Sequence, residues 1–462
     1  MINHQFTILD AKSKSLKLRA ERMANYVQAQ ILEAVSDDQE LYYLFFYKGA
    51  FLTAKKTTKL RRHSFIERAF KQGHTYQAPH PFMNHLVTSN HSAKIINNKQ
   101  LLRKLNQHFT KQEKAYILTF FESFISKKQL FNELKDMFYE DRRGGQLFSA
   151  YQIIRILKDF APKHSFVKSL ASDLIYKDFI NMYQDREEAL FQEDLIEAEK
   201  IMFHEPDRYF DQYVNQLTTE NRTLEQSMLL YEQMKISPSK QVLNSLNQLL
   251  HQHFSDQESV DLLERLSRQR PFTPLHELLL RKYLDLKQID RASLLLLQSN
   301  FELTTADMKQ LHTSLNEMSP EELKIQPEAL QNLLLKLFKQ EPNSSDVLLN
   351  KCLICLLAQY ELTDVHDWLE PLREVCGQLD VIQKFDRIYK MSEDLENMQP
   401  LGELYFEFKQ WNQALDCFSM ESELKPDEAR PLKWLSKTYL EMGLKDESEA
   451  YQKMYVNLQK QA

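Results

Sequence analysis

The sequence predicts an all-α protein, and three observations support this prediction. The 462 residues include only 7 glycines, which disfavours folds built on glycine turns, such as β-sandwiches and hairpin-rich barrels. Apolar residues recur at spacings of three and four along most of the chain, which is the period of an amphipathic helix. Helix-start signals also recur. We therefore expect helices of about 10 to 18 residues joined by short turns.

The helix-start signal is a Ser or Thr followed three residues later by Gln or Glu. Such a pair can satisfy two backbone amides that have no partner in the first turn of a helix. The pairs are Ser36/Gln39, Thr110/Glu113, Ser126/Gln129, Thr223/Gln226, Ser255/Glu258 and Ser319/Glu322.

Two breaks divide the chain. The run 141–145 holds two glycines and predicts a turn between helices. The polar stretch 218–223 separates a basic, aromatic part from a part rich in Leu and Glu. We therefore predict a basic and aromatic helical region at residues 1–217 and an array of helical repeats at residues 218–462.

A 34-residue register is clearest at the C-terminal end, in units 395–428 and 429–462. Gly402 and Ala414 supply thin positions where two helices can approach, and the bulky Tyr405 and Phe418 fill the space beside them. Pro426 ends the second helix. The next unit repeats the thin positions at Ser436 and Ser448. Upstream, weaker units begin at Thr273 and Asp346.

This pattern resembles the tetratricopeptide repeat (TPR) family, in which antiparallel helix pairs stack into a solenoid. The resemblance covers residues 395–462 and is degenerate upstream. It implies a groove that binds a partner segment. The positions that line such a groove fall here on Glu403, Phe406, Glu407, Arg430, Lys433, Trp434, Lys437 and Glu441. Trp434 has two interpretations: an anchor for a peptide, or a ring packed against the neighbouring helix.

Charge is unevenly distributed. Residues 51–150 contain 18 Lys and Arg against 7 Asp and Glu, although the whole chain carries −6. A basic patch in the segment 51–104 consists of Lys55, Lys56, Lys59, Arg61, Arg62 and Lys71. With Phe51, Phe65, Phe70 and Tyr76 nearby it could track phosphates and stack bases. The alternatives are an acidic protein partner, within the same chain or outside it, and a solvated face without a ligand.

The sequence gives no support for a metal, a cofactor or catalysis. The histidines His63, His74, His80, His85 and His91 lack metal-ligand spacing, and His251 and His253 point to different sides of a helix. Cys352 and Cys355 form a CxxC inside an apolar helical run, where small core residues are a better interpretation than a redox or metal pair. Phosphate loops, nucleophile elbows and dinucleotide fingerprints are absent from the sequence.

We therefore predict a non-enzymatic scaffold or adaptor that binds a protein or peptide partner in a TPR-type groove. The alternative function is a regulator that contacts RNA or DNA through residues 51–104. The four cysteines and the absence of a leader or membrane-spanning pattern indicate a cytoplasmic protein with no membrane association.

Overall fold

A computed structural model describes residues 5–57, 59–90, 93–171, 173–299, 303–318, 326–339, 345–392 and 395–461. The chain forms two compact units, Met1–Arg270 and Pro271–Ala462. The first begins with six strands: β1 (Gln5–Leu9), β2 (Ser15–Tyr26), β3 (Ala29–Ser36), β4 (Leu41–Tyr47), β5 (Ala50–Lys56) and β6 (His74–Gln77). The all-α prediction is therefore wrong for the N-terminal residues, where we expected helices.

The sheet is antiparallel and is built from consecutive hairpins. Strands β1 to β5 pair in chain order, and β6 returns to pair with the second half of β2. Most of the turns need no glycine, because Ser13, Val27, Gln39 and Lys48 adopt left-handed backbone conformations with φ between 48° and 61°. Ser36 and Gln39 form the β3–β4 turn instead of starting a helix. The glycine count was thus a poor guide to hairpins.

Val27 shows how such a strained turn is stabilised. A β-branched residue at φ 53° is unfavourable by about 1–3 kcal/mol. Val27 is fully buried and packs with Met202, Tyr213 and Leu217. Burial of a valine side chain contributes about 1.5–3 kcal/mol, which is enough to offset the strain.

Both faces of the sheet are covered. One face packs Ile31, Phe45 and Leu52 against the helices of the first unit in a large aromatic core. On the other face Met23 and Leu44 are also buried. Strands buried on both faces have nearly continuous apolar sequences, as in β4, and lack the alternation by which strands are recognised.

The remaining elements of the first unit are short helices, together with a 3₁₀ turn at Leu174–Tyr176. They are α1 (Phe65–Gln72), α2 (Pro81–Thr88), α3 (Asn98–His108), α4 (Lys111–Thr119), α5 (Lys127–Arg143), α6 (Leu147–Phe160), α7 (Ser165–Ala171), α8 (Lys177–Asp185), α9 (Glu188–Glu193), α10 (Leu195–His204), α11 (Pro206–Thr219), α12 (Thr223–Ile236), α13 (Lys240–His253) and α14 (Asp256–Gln269). Of the predicted turn at 141–145, only residues 144 and 145 lie between α5 and α6, because α5 continues to Arg143.

A buried ion cluster lies next to the predicted boundary at 217/218, which falls inside the first unit. The Arg222 guanidinium donates to Glu199 at 2.7 Å through two nitrogens and also pairs with Glu225. All three side chains are at most 3 % exposed. Glu199 also accepts from Gln28 beside the sheet at 2.8 Å, so the cluster joins the start of α12 to the strands.

The second unit consists of helices. They are α15 (Thr273–Asp285), α16 (Ile289–Gln298), α17 (Thr305–Glu317), α18 (Pro327–Phe338), α19 (Ser345–Leu357), α20 (Leu362–Cys376), α21 (Asp380–Met391), α22 (Met398–Glu407), α23 (Trp411–Leu424), α24 (Ala429–Glu441) and α25 (Lys445–Gln461), with a 3₁₀ turn at Leu395–Asn397. Several pairs of consecutive helices pack as hairpins, most extensively α22 with α23 and α24 with α25, whereas α18 packs mainly against α16 and α20. The predicted helical repeats are thus present in this unit.

Helix α21 interrupts the two-helix scheme. It packs beside α19 with the same direction, since the Asp346 carboxylate at the start of α19 accepts from the Val381 amide at the start of α21 at 3.3 Å. Lys384 in α21 pairs with Glu407 at the end of α22, so α21 and α22 run in opposite directions. This lone helix separates the weak upstream register from the register that begins at residue 395.

The predicted helix starts have mixed outcomes. Thr110/Glu113 and Ser255/Glu258 form complete reciprocal caps, so these predictions are confirmed. Ser126 accepts from the Gln129 amide at 3.2 Å. Helix α12 instead has Arg222 as its N-cap, one residue before Thr223. Residues 319 and 322 lie outside the described residues.

Candidate partner-binding surface of the C-terminal hairpins

The close approach of α22 and α23 depends on Gly402. A Cβ atom at this position would lie 2.6 Å from Cε1 and 2.8 Å from Cδ1 of Phe418. Phe418 and Ala414, both on α23, are fully buried. The prediction that small residues mark the contact between these two helices is confirmed.

Ser436 and Ser448 hold the last hairpin together. The Ser436 hydroxyl donates to the Ser448 carbonyl at 2.9 Å, and the Ser448 hydroxyl donates to the Ser436 carbonyl at 2.8 Å. Both residues are buried. A larger side chain at either position would separate α24 from α25 and break this reciprocal pair.

We use "the α22–α24 face" for the predicted groove residues Glu403, Phe406, Glu407, Arg430, Lys433, Trp434 and Lys437. Trp434 is half-buried on it: its ring stacks on Phe418 at 5.6 Å and meets the edge of Phe406 at 5.1 Å. Lys437 lies over the indole at 4.5 Å. Of the two interpretations of Trp434, the structure therefore shows packing against the neighbouring helices, with part of the ring left accessible.

Three charged residues of the α22–α24 face, Glu403, Glu407 and Arg430, form ion pairs. Arg430 donates to Glu403 at 2.6 Å and 2.9 Å, which ties α24 to α22. Glu407 pairs with Lys384 at 2.9 Å, and its acceptance from Lys384 helps to raise the pKa of that lysine. Lys433 is exposed and forms no ion pair among the described residues.

Glu407 also borders a cavity of about 400 Å³, which we call the Glu407 cavity. Its lining residues are Asp346, Val347, Asn350, Asp380, Val381, Lys384, Glu407 and Phe408. Val347 is 76 % exposed beside it. This cavity is a feature that the sequence motifs did not reveal, although Asp346 and Asp380 are 34 residues apart, as are Asn350 and Lys384. Extending the 34-residue register downstream from Asp346 places the two residues of each pair at equivalent repeat positions, and so predicts that they lie close together.

The basic patch lies at the end of β5, in the following loop and on α1. Several of its charges are already paired: Lys56 with Glu40, and Lys71 with Glu67 at 2.7 Å. Lys55 donates to the Asn98 side chain at 2.7 Å. The side chains of Lys59, Arg61 and Arg62 are exposed and make no ion pair within the described ranges.

The aromatic residues near the basic patch are not available for base stacking. Phe51, Phe65 and Tyr76 are buried, at 8 %, 3 % and 2 % exposure. Phe70 is half-buried, with the Arg22 guanidinium 4.4 Å above its ring. The expectation of stacking aromatics beside this patch is therefore wrong, and the patch offers only the three unpaired charges named above.

The histidines occupy separate structural positions. His80 is buried at the N-cap of α2, where Nδ1 accepts from the Phe82 amide at 3.3 Å. Burial, assisted by Arg265 and Lys235, lowers the pKa of His80 to about 3. His74 faces Glu232 at 3.8 Å. His91 lies outside the described residues. Within the part of the chain that is described, no group of His, Cys, Asp and Glu could hold a metal ion.

Cys352 and Cys355 both lie on α19 and form no disulfide with each other. Cys352 is fully buried, and burial raises its pKa to about 12. Cys355 is partly buried. The interpretation as small residues of a helix core therefore fits the environment of this CxxC.

None of the helices in the described ranges has the length and apolarity needed to cross a membrane.

Comparison with known proteins identifies no family. No family model and no curated protein matches the chain. Among solved structures, the chain is similar to a chain in the structure of Naa15/Naa10 bound to HypK-THB, with 14 % identity and a TM-score of 0.21. The match covers 79 % of this chain and 60 % of the other chain, so this chain spans less than two thirds of the length of the similar structure. A likeness this distant carries no argument about fold or function.

Proposed function

We propose that the chain is a binding scaffold whose C-terminal hairpins belong to the TPR family and hold an extended segment of a partner protein on the α22–α24 face. The observation that carries this proposal is the half-exposed pair Phe406–Trp434, flanked along the face by charged side chains. An accessible aromatic pair with charges at its border is the composition of a protein-recognition surface.

The distribution of charge indicates the chemistry of the partner. The Glu407 cavity is lined by three carboxylates, those of Asp346, Asp380 and Glu407, and by one lysine, which favours a basic side chain. At the other end of the face, Lys433 and Lys437 favour an acidic side chain. We therefore propose a partner segment with an apolar residue between a basic residue and an acidic residue. Complementary charges of this kind fix the direction of binding more than they raise affinity.

We also propose that this surface binds without catalysing a reaction. The carboxylates of Glu403 and Glu407 are each engaged by a cation, and the hydroxyls of Ser436 and Ser448 each donate to the backbone carbonyl of the other serine. Such groups are committed to holding the helices and are poorly suited to act as a base or a nucleophile.

The test is selection of binding peptides from a random 12-residue library on the purified full-length chain. We expect enriched peptides with an aromatic or aliphatic residue between opposite charges. The variant Lys433→Glu/Lys437→Glu should weaken these peptides by about tenfold or more, since two exposed charge pairs are worth about 0.7 kcal/mol each.

The matched control is Lys453→Glu/Lys460→Glu, which makes the same change of charge on exposed residues of α25. It should bind the selected peptides as the unaltered chain does. Equal weakening in both variants would reveal a nonspecific charge effect and contradict the proposal, as would selection that enriches no motif.

A further inference from the structure

The first unit contains a cavity of about 440 Å³ that no sequence motif indicates. We call it the Tyr26 cavity. Its lining residues are Tyr26, Phe65, Arg68, Gln72, Tyr116, Thr119, Ile156, Asp159, Phe160, Arg186, Glu197, Lys200, Ile201, His204 and Glu205. They come from the end of β2, from α1, α4, α6 and α10, and from the segment after α8. A volume of this size suits a small organic ligand.

The buried part of the lining is apolar and aromatic. Phe65, Ile156 and Phe160 are each at most 3 % exposed, and Ile201 is half-buried beside them. Flat apolar molecules pack well against such rings.

The polar groups at the cavity have unused donors. Arg68 donates through one nitrogen to Glu122 at 3.1 Å, and its other nitrogens have no partner among the described residues. Gln72 accepts from the Tyr26 hydroxyl at 3.2 Å, which leaves its amide nitrogen unused in the same set of residues. The Tyr116 hydroxyl is shielded from solvent and has no partner in the described chain. An unpaired shielded hydroxyl is unfavourable unless something fills the site.

The carboxylates at the cavity, in contrast, are already occupied. The Arg186 guanidinium donates to both carboxylate oxygens of Glu205 at 2.6 Å. Lys200 pairs with Asp159, and with Glu197 at 3.2 Å. The remaining hydrogen-bonding capacity is therefore mainly that of donors, which select an anionic group over a cationic one.

Arg68, Lys200 and Tyr26 all line the cavity. Burial raises the pKa of the Tyr26 hydroxyl, and the positive charges of Lys200 and Arg68 both oppose that rise. Arg68 keeps unused donors, and Lys200, which gives two of its three N–H groups to Asp159 and Glu197, keeps one. An anionic group beside Tyr26 can accept from both.

We propose that the Tyr26 cavity binds a small aromatic anion. Its flat body lies on Phe65 and Phe160, and its carboxylate, sulfonate or phosphate group meets Arg68 and Lys200. This site is separate from the proposed binding of a protein segment and does not depend on it.

The probe is 8-anilinonaphthalene-1-sulfonate, an aromatic anion that fluoresces in apolar surroundings. Titrated into the purified full-length chain at 0.15 M salt, it should bind saturably at one site per chain. Phenyl phosphate should displace it, and benzylamine, an aromatic cation of similar size, should not.

Two variants test the location. Arg68→Gln/Glu122→Gln removes the cation together with its buried partner, so no carboxylate is left unpaired, and it should weaken the probe at least tenfold. Ile201→Trp fills the cavity and should abolish saturable binding. The matched control is Lys71→Gln/Glu67→Gln, which removes an exposed ion pair on the same helix outside the cavity. It should leave binding unchanged.

Circular dichroism melting first establishes that each variant is folded. The proposal is overturned if the chain shows no saturable binding, if both cavity variants bind as the unaltered chain does, or if benzylamine displaces the probe as well as phenyl phosphate does. Should one cavity variant fail to fold, the other decides the outcome.

Discussion

Replacing Gly402 by alanine tests the helix approach on which the C-terminal hairpins depend. The added methyl group would lie 2.6 Å from the Phe418 ring, well inside contact distance. The ring is fully buried and stacked on Trp434, so it has little room to move. We expect an overpacking cost of about 3 kcal/mol, at the upper end for such changes. Alanine recovers about 1 kcal/mol of helix propensity, which leaves a net loss of about 2 kcal/mol.

The assay is urea unfolding followed by tryptophan emission. The three tryptophans, Trp368, Trp411 and Trp434, all lie in the second unit, so their emission follows that unit. With an m-value of about 2.5 kcal/mol per molar urea, the midpoint should fall by about 0.8 M.

The same substitution in a variant that also carries Phe418→Leu makes the test decisive. With Phe418→Leu, the smaller side chain leaves space for the methyl group, so Gly402→Ala should there be neutral or stabilising by up to about 1 kcal/mol. If alanine stabilises the unaltered chain, or costs the same in both backgrounds, the contact between these residues does not limit the approach of the helices.

Three further predictions concern the first unit. The pKa of His80 is about 3 in the fold against 6.5 when unfolded, so the unfolded chain takes up the proton first. The free energy of unfolding should therefore fall as the pH falls below 6.5, by about 2 kcal/mol at pH 5. Urea unfolding followed by circular dichroism measures this change. In the variant His80→Asn the dependence of the free energy of unfolding on pH should be weaker. Arg222→Met should cost about 3–5 kcal/mol because Glu199 and Glu225 stay buried without a cation, whereas adding Glu199→Gln and Glu225→Gln should recover part of the loss in the same assay. Single-stranded RNA should show no mobility shift at 0.15 M salt, and any binding at low salt should have a log–log salt slope no steeper than about −2, since segment 57–62 offers three unpaired cations.

The hairpins of the second unit could be predicted because their signals are local. Gly402 and Ala414 are 12 residues apart, as are Ser436 and Ser448, and each pair lies across one turn. Packing at such positions requires small residues whatever the rest of the chain does.

The sheet could not be predicted by the same means. Its turns use Val27, Gln39 and Lys48 at positive φ, where glycine or asparagine is the usual signal. At Val27 the strain is tolerated because of tertiary burial, which local sequence does not display. Strands covered on both faces also lose the polar and apolar alternation that identifies them.

The two cavities were missed for different reasons. The Tyr26 cavity draws its lining from segments between Tyr26 and Glu205 that only the fold brings together. The Glu407 cavity does carry a signal, the 34-residue spacing between Asp346 and Asp380, but the register that is clearest in the sequence begins only at residue 395.

The lone helix α21 changes the parity of the chain. The first helix of the hairpin before it, α19, and the first helix of the hairpin after it, α22, point in opposite directions, because α19 and α21 share a direction that α22 reverses. The N-terminus of α22 therefore lies on the side of the helix layer where the C-terminus of α19 lies. The dipoles of these two helices point in opposite directions as a result. Removing or adding helices in whole pairs would leave the direction of the later hairpins unchanged. Removing α21 alone would reverse the direction of every later hairpin.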